Sequence, residues 1–378
     1  MNWKVPLCDL SFDENERKAV SDVIESRWLS MGPQTEAFEK DFAEFTGSKY
    51  AFTVSNCTAA MHIAHSVLGI GPDDEVIVPS LTFIATVNAV LYTGAKPVFA
   101  DVESLENWNI CAEQIKPLIT PRTKAVAVVH YAGYPVDMTA VSQLCVKNNL
   151  MLIEDCAHSP GAYWQDKHTG TFGRCGCFSF FSNKNMATGE GGMIITNDST
   201  LSEKIRYMRS HGMTTLTWQR HSGHAYSYDV VALGYNYRLD EIRSALGRVQ
   251  LKKLNINNKK RGRLVELYRE KLADVTEIKI PFMNHPPRSS YHLFPVLLDA
   301  SLKRTSVING MKEMGIQTSV HYPPAHLFTY IKSKLNTVEG QLPLTEKIGK
   351  GVLTLPLFPD MTVEQLQYVV DSLKKTVG

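Results

Sequence analysis

Short apolar segments alternate with amphipathic helical segments over the first two-thirds of this chain of 378 residues. The apolar segments carry hydrophobic residues on both faces, which is typical of parallel strands covered by helices on either side. The helical segments at 34–46 and 82–92 end at Gly47 and Gly94. Strands are expected at residues 50–54, 75–78, 97–101, 125–130, 150–154, 177–181 and 192–196. The alternation predicts an α/β fold with a mixed, mostly parallel sheet flanked by helices.

The pattern changes at about Asp240, where a long helical segment begins. Such a helix often links two domains. Beyond it, the sequence predicts strands at 291–298 and 317–321 and helices at 305–314 and 362–375. We therefore expect a large domain over residues 1–250, including the N-terminal segment, and a linking helix with a smaller α+β domain over residues 251–378.

Charge, hydropathy and cysteine use argue against several classes of function. The formal net charge is +2, from 40 basic and 38 acidic residues, so the charge balance calls for neither nucleic acid nor a membrane as partner. The sequence lacks a membrane span and the apolar run of a signal peptide. The seven cysteines show no disulfide spacing, so we expect a reduced, cytoplasmic protein. Cys175 and Cys177 lack a second pair of ligands, so no metal site is expected.

Two carboxylates, Glu154 and Asp155, end an apolar strand. In an open α/β sheet, ligands bind beyond the carboxyl ends of the strands, which places Asp155 where a cofactor would lie. A carboxylate there can keep a pyridine nitrogen protonated. The alternative is an aspartate that caps the following helix.

A lysine, Lys184, follows a second apolar strand and precedes Gly189-Glu190-Gly191-Gly192. A Schiff-base lysine needs partial burial to lower its charge at neutral pH, and a strand end provides it. The glycines allow the backbone to approach a cofactor closely. The alternative is a lysine in a surface loop.

Small residues, Ser-Asn-Cys-Thr-Ala-Ala, open a helix after a strand at residues 55–60. The backbone N–H groups and the dipole of such a helix start favour a phosphate. Taken together, the three features describe one site with a phosphate cradle, a carboxylate and a lysine at strand ends.

Eight motifs follow one another along the chain. They are the Ser-Asn-x-Thr-Ala-Ala helix start, VPSLTFIATVNAVLYTGAKPVFADV, IEDCAHSPGA, FSFFSNKNMATGEGGM, GYNYRLDEIRSALGRVQL, HYPPAH, LPLTEK and LPLFPDMT. In this order they resemble the DegT/DnrJ-type sugar aminotransferase family, over nearly the whole chain from about Pro6. The resemblance implies the fold type I architecture of the aspartate-aminotransferase superfamily, with a pyridoxal 5′-phosphate (PLP) cofactor that passes through its pyridoxamine form.

The resemblance also implies the roles of single residues. Lys184 stands at the position of the Schiff-base lysine, which acts as the general base, and Asp155 matches the carboxylate that pairs with the pyridine nitrogen. The other matches to cofactor contacts are Thr58 and Ala59, largely through backbone N–H groups, Ser179 at the phosphate, Phe83 on the ring face, His158 near the ring hydroxyl, and Asn236. The family's asparagine at this last position reaches the phosphate of the neighbouring subunit, which implies a homodimer with shared active sites. Cys57 departs from the glycine that is usual there.

Substrate contacts are implied for Trp28, His321, Tyr322, His326, Trp218 and Arg220. The segment at 321–326 could instead be a Pro-bounded turn with a partly buried histidine. The stretch at 214–228, which carries Trp218 and Arg220, could be an exposed loop ordered by the dimer partner.

The implied reaction moves an amino group from L-glutamate to a keto-sugar. The substrate is a nucleotide-linked keto-sugar, a cyclitol ketone or an oxidised octulosonate, as in 8-amino-3,8-dideoxy-manno-octulosonate synthesis. The product serves polysaccharide, lipopolysaccharide or other amino-sugar biosynthesis. Two alternatives remain, a PLP-dependent sugar dehydratase or lyase and a non-catalytic regulatory relative. A related branch carries histidine in place of the lysine and catalyses dehydration, so Lys184 favours amination.

Overall fold

The structure is a computed structural model that describes residues 3–215, 227–286 and 288–378. Its centre is a seven-stranded sheet with the strand order β1-β9-β8-β5-β4-β2-β3. The strands are β1 (Tyr50–Val54), β2 (Glu75–Pro79), β3 (Lys96–Ala100), β4 (Thr123–Val129), β5 (Met151–Asp155), β8 (Cys175–Ser179) and β9 (Gly192–Thr196). β9 runs antiparallel to β1 and β8, whereas the other neighbouring strands pair in parallel, so the sheet is mixed and mostly parallel, as predicted.

Helices cover both faces of this sheet. They are α1 (Glu14–Ser26), α2 (Pro33–Thr46), α3 (Cys57–Val67), α4 (Ile84–Tyr92), α5 (Ala112–Ile115), α6 (Met138–Lys147) and α7 (Ser199–Met208). The short antiparallel strands β6 (Tyr163–Trp164) and β7 (Lys167–His168) lie apart from the sheet. Alternate residues of one strand join different cores: Val76 and Val78 pack with α3 and α4, whereas Ile77 packs with α6. Burial on both faces explains why these strands are apolar throughout.

A 31-residue helix, α8 (Glu241–Lys271), connects this layer to a second, smaller unit. That unit has a three-stranded antiparallel sheet of β10 (Ile278–Lys279), β11 (Phe294–Leu298) and β12 (Val352–Leu355). Its helices are α9 (Arg304–Glu313), α10 (Thr329–Leu335), α11 (Pro343–Gly351) and α12 (Val363–Val377). The expected division at residue 250 falls inside α8, and its last turns, from Leu264 to Leu272, pack into the core of the smaller unit.

Two details differ from the sequence-based expectations. The strand expected at 317–321 is absent, because within this segment only Ser319 forms a β-bridge, to Thr354. The N-terminal segment lies on the smaller unit, where Val5 pairs with Ile316. Among the described residues, none of the helices has both the length and the apolar character needed to span a membrane.

Candidate active site

A cavity of about 400 Å³ opens where the carboxyl ends of β2, β4, β5 and β8 meet the N-terminus of α3. This volume is within the usual range for small-molecule sites. Eight of the predicted cofactor and substrate contacts line it, namely Thr58, Phe83, Asp155, His158, Ser179, Lys184, His321 and Tyr322. The parallel register places Asp155 level with Val129 of β4 and Cys177 of β8, so strand ends distant in sequence meet at one edge.

Asp155 is buried at the floor of the cavity. The hydroxyl of Thr86 donates to its Oδ2 at 2.8 Å, and the backbone N–H of Ala157 donates to its Oδ1 at 3.1 Å. Burial raises the pKa of Asp155, whereas these hydrogen bonds and the nearby Lys184 oppose the shift. The carboxylate is therefore held rigidly, with a polar edge available to a ligand in the cavity.

Glu154, its neighbour in the strand, points to the opposite face of the sheet. Its carboxylate accepts the backbone N–H groups of Gly170, Phe172 and Gly173, each at 2.7 Å. It also lies 3.2 Å from Nε2 of the buried His130. Because side chains alternate along a strand, the two adjacent carboxylates have separate tasks, and Glu154 anchors the loop before β8.

Lys184 lies in the turn after β8, where its backbone N–H donates to the carbonyl of Phe181 at 2.9 Å. Burial lowers the pKa of its amine from 10.5 to about 8, although Asp155 and Cys57 act in the opposite direction. Such a lysine is partly neutral near physiological pH, which is the condition for nucleophilic attack on a carbonyl.

The first turn of α3, which contains Thr58, forms one side of the cavity, and Ser179 lines the cavity as well. Asn56 caps this helix: its Oδ1 accepts the N–H of Ala59 at 2.8 Å, and its carbonyl accepts the N–H of Ala60. Helix geometry then leaves the amides of Cys57 and Thr58 for an external anion. The Ala59 amide, for which the resemblance implies a phosphate contact, donates to the Asn56 side chain in this structure.

An aromatic wall closes another side. The backbone N–H of Ala132 donates to Nδ1 of His158 at 3.2 Å, so the proton of this imidazole lies on Nε2, which faces the hydroxyl of Tyr322 at 3.0 Å. Burial lowers the pKa of His158 well below its usual value, which keeps the ring neutral. The ring of Tyr322 lies 5.9 Å from that of Phe83, and Phe83 remains 58% exposed at the cavity mouth.

His321 borders the cavity from the smaller unit. Its Nδ1 lies 2.9 Å from the hydroxyl of Thr354, and burial lowers its pKa to about 4. His321 and Tyr322 are therefore the two residues of the 321–326 segment that the fold brings to the cavity.

Other predicted site residues lie away from this cavity. His326 is fully buried between the hydroxyl of Ser80, at 2.7 Å, and the carboxylate of Glu346, at 3.1 Å. Trp28 packs over Gly32, where an added Cβ would come within 2.7 Å of the indole nitrogen. Asn236 is exposed, and its backbone forms an isolated β-bridge with Ser210. Trp218 and Arg220 lie outside the described residues.

Sequence reasoning missed His292, whose Nε2 lies 3.5 Å from Nζ of Lys184. The residue precedes β11 and is 3% exposed, 108 positions from the lysine. Its neighbours in the sequence, Tyr291 and Leu293, belong to an apolar segment for which the sequence predicts a strand. A histidine within such a run is the one signal that could have pointed to it.

Comparison with known proteins identifies the family and the fold of the chain. The model of the DegT/DnrJ/EryC1/StrS aminotransferase family matches residues 11–374. The chain is 37% identical over 369 residues to the spore coat polysaccharide biosynthesis protein SpsC of Bacillus subtilis (strain 168), which covers 96% of this chain and 95% of that protein.

Two solved structures show the same fold over the full chain. PseC of Helicobacter pylori, an aminotransferase involved in the biosynthesis of pseudoaminic acid, matches with a TM-score of 0.91 at 30% identity and covers 100% of this chain and 99% of its own. The E. coli GDP-4-keto-6-deoxy-D-mannose-3-dehydratase with bound hydrated PLP matches with a TM-score of 0.90 at 26% identity, over 99% of this chain and 100% of that chain.

Proposed function

This chain belongs to the DegT/DnrJ/EryC1/StrS aminotransferase family and is a PLP-dependent aminotransferase, and from this premise we propose that it transfers an amino group from L-glutamate to a keto-sugar. The observation that carries the proposal is the pairing of a buried carboxylate, Asp155, with a lysine of lowered pKa, Lys184, in one cavity.

The residues present fit the cofactor. Lys184 offers an amine for the covalent link, and Asp155 offers a carboxylate for the pyridine nitrogen. The amides of Cys57 and Thr58, with the hydroxyl of Ser179, form a cradle for the phosphate. When bound, PLP supplies an electron sink for the bond that loses its proton.

The protein's own groups then transfer protons and limit the access of water. Lys184, once its amine is released, is the base that takes the proton from the amino donor and returns it on the same face of the site. Asp155 keeps a proton on the ring nitrogen. The neutral His158 donates from Nε2, which favours an oxygen at that edge, and Tyr322 with Phe83 limits the access of water.

A sugar substrate is inferred from the relatives. SpsC is named for spore coat polysaccharide biosynthesis, and PseC acts in the biosynthesis of pseudoaminic acid. We propose that His321 and Tyr322, which line the cavity, contact such a sugar. We propose a nucleotide-linked keto-deoxysugar or an oxidised octulosonate, with a product used in cell-surface polysaccharide or lipopolysaccharide synthesis.

The dehydratase among the similar structures makes dehydration the second candidate. Lys184 argues against it, because a lysine amine can bind the cofactor covalently and be regenerated, whereas the dehydratase branch of the family carries histidine there. A regulatory relative would have no need for a half-buried lysine of lowered pKa next to a buried carboxylate.

A homodimer with shared sites completes the proposal. Asn236 is exposed, and the segment before it exposes Val230, Val231 and Leu233. Phe83 and Phe181 expose apolar rings at the cavity itself. A second copy would bury these side chains and bring its Asn236 to the phosphate cradle.

All seven cysteines are free thiols, which suits a cytoplasmic protein.

The test is a two-step reaction of purified protein loaded with PLP. Glutamate should convert the bound cofactor to its pyridoxamine form and release 2-oxoglutarate, and a panel of keto-sugars should then restore the original absorbance. Lys184→Ala should bind PLP without a borohydride-reducible link. Failure with glutamate and glutamine alike, or a reducible link in Lys184→Ala, would contradict the proposal.

A further inference from the structure

We propose that His292 is a positioning residue for Lys184, whose neutral imidazole directs the lysine amine toward the cofactor by accepting one of its hydrogens. The inference rests on the proposed function, because it assumes that Lys184 is the cofactor-binding lysine. It adds a residue that no sequence motif indicated.

The geometry fixes which nitrogen of His292 faces the amine. Nε2 lies 3.5 Å from Nζ of Lys184, while Nδ1 lies 2.9 Å from the side-chain oxygen of Asn185. The amide nitrogen of Asn185 donates to Asn258 Oδ1 at 2.8 Å and to the Ser290 carbonyl at 2.7 Å. Asn185 therefore presents its oxygen to the imidazole, so Nδ1 carries the proton and Nε2 presents a lone pair to the lysine.

The asparagines make this tautomer a property of the fold. Asn258 lies on α8, and its own amide donates to the carbonyl of Pro160 at 2.9 Å. The Asn258 side chain is tightly packed, because a Cβ added at Gly161 would lie only 2.6 Å from its amide nitrogen. The backbone of His292 is held as well, since its N–H donates to the Ala132 carbonyl at 2.8 Å. The chain of hydrogen bonds thus ties the lysine turn to the long helix.

A neutral acceptor suits a lysine that must lose its proton. The titratable groups that interact electrostatically with Lys184 are Asp155, Cys57, His158, His292 and His321. Asp155 alone among them is a carboxylate, and burial lowers the pKa of all three histidines. A second carboxylate at the position of His292 would hold the amine in its charged form, whereas a neutral imidazole orients it without adding charge. A distance of 3.5 Å is the loose contact expected before a ligand is bound.

The experiment uses cofactor-free full-length protein and measures the rate at which it captures PLP, trapped by borohydride, as a function of pH. In the native protein the rate should rise with a midpoint near pH 8 and reach a plateau. In His292→Phe the plateau should fall about tenfold, because the neutral amine is no longer oriented. The midpoint should also fall, because the charged amine loses a hydrogen-bond acceptor. His292→Gln, which retains an acceptor, should recover most of the plateau rate.

Two further variants keep the outcome decisive. His65→Phe replaces another fully buried histidine, eight residues beyond the start of α3, and should leave both midpoint and plateau unchanged. Asn185→Ala keeps His292 but removes the group that sets its tautomer, and should lower the plateau by a smaller factor; it replaces His292→Phe as the test if that protein does not fold.

The outcomes separate this inference from the proposed function. A folded His292→Phe protein with the native plateau and midpoint would overturn the positioning role while leaving the function intact. If the native protein itself formed no reducible link with PLP at Lys184, the proposed function would fail first. Acetylation of Lys184 by acetic anhydride over the same pH range, read by peptide mass spectrometry, gives the midpoint without any cofactor.

Discussion

Single residues in this site owe their protonation states chiefly to burial. Burial raises the pKa of Asp155, and hydrogen bonds from Thr86 and Ala157 oppose this shift. Burial leaves Lys184 partly neutral and the histidines uncharged. The sequence can display these side chains, but their pKa shifts depend on what surrounds them in the fold.

The lysine makes the stability of the cofactor-free protein depend on pH. Below pH 8 both folded and unfolded chains are protonated at Lys184, and the fold bears the full cost of burying the charge. Between about 8 and 10.5 the unfolded chain retains a proton that the folded chain has lost, so stability rises with pH. Between pH 8 and pH 10, the free energy of unfolding of the native protein should rise by about 1–2 kcal/mol relative to that of Lys184→Met. Urea unfolding at the two pH values measures this change. A difference independent of pH would mean that the pKa of Lys184 is not lowered.

The adjacent carboxylates offer a matched pair of variants. Asp155→Asn should keep the covalent link to PLP but slow the half-reaction with glutamate by about 100-fold, because an amide cannot hold the ring nitrogen in its charged form. Glu154→Gln should lower the unfolding midpoint, because it weakens three backbone hydrogen bonds, and should leave the half-reaction rate nearly unchanged. Equal slowing in both variants would show that the loss is structural.

At the scale of elements, buried carboxylates hold helix starts from outside the helix. Asp101, after β3, accepts the N–H groups of Leu344 and Thr345 at the start of α11. Glu241, at the start of α8, accepts the N–H groups of Gly32, Gln34 and Thr35 at the start of α2. The helix dipole favours a negative charge at this end. Two elements that are far apart in the sequence are thereby locked together.

Removal of this cap should therefore be costly. Glu241→Ala leaves three backbone N–H groups and the hydroxyl of Thr35 without their acceptor in a buried place. We expect a loss of about 3 kcal/mol in the free energy of unfolding. Glu270→Ala, at an exposed position of the same helix, is the control and should change stability by less than about 0.5 kcal/mol. Urea unfolding measures both, and similar values for the two variants would contradict the capping role.

For the whole molecule, the proposal is that two chains build each site. In the proposed dimer, Lys184 of one subunit acts with Asn236 of the other. Lys184→Ala and Asn236→Asp should each be nearly inactive alone, the second because its carboxylate repels the phosphate. Unfolding and refolding them together should restore about a quarter of native activity, because half of the dimers are mixed and each has one intact site.

The control for this experiment is Lys184→Ala refolded with Asp155→Asn. Both changes affect the same chain's half of the site, so each site of a mixed dimer contains one defect and activity should not recover. No recovery in the first pair would show that Asn236 does not act across the interface. Recovery in the control pair would show that the regained activity does not come from a site shared between Lys184 and Asn236.

The sequence by itself determined the layered α/β fold, the family and the lysine–carboxylate pair. Strand and helix periodicity are local, and Lys184 and Asp155 lie in motifs that follow strands, so both could be read along the chain. Only the tertiary structure separated Asp155 from Glu154, placed His326 in the core, gave the Ala59 amide to Asn56, and brought His292 to the lysine. Each of these outcomes depends on the opposite faces of a strand or on contacts between segments that periodicity does not specify. The paired role of Lys184 and His292 is the clearest case, because the imidazole is set by Asn185 and by Asn258 of α8, 73 residues further along the chain.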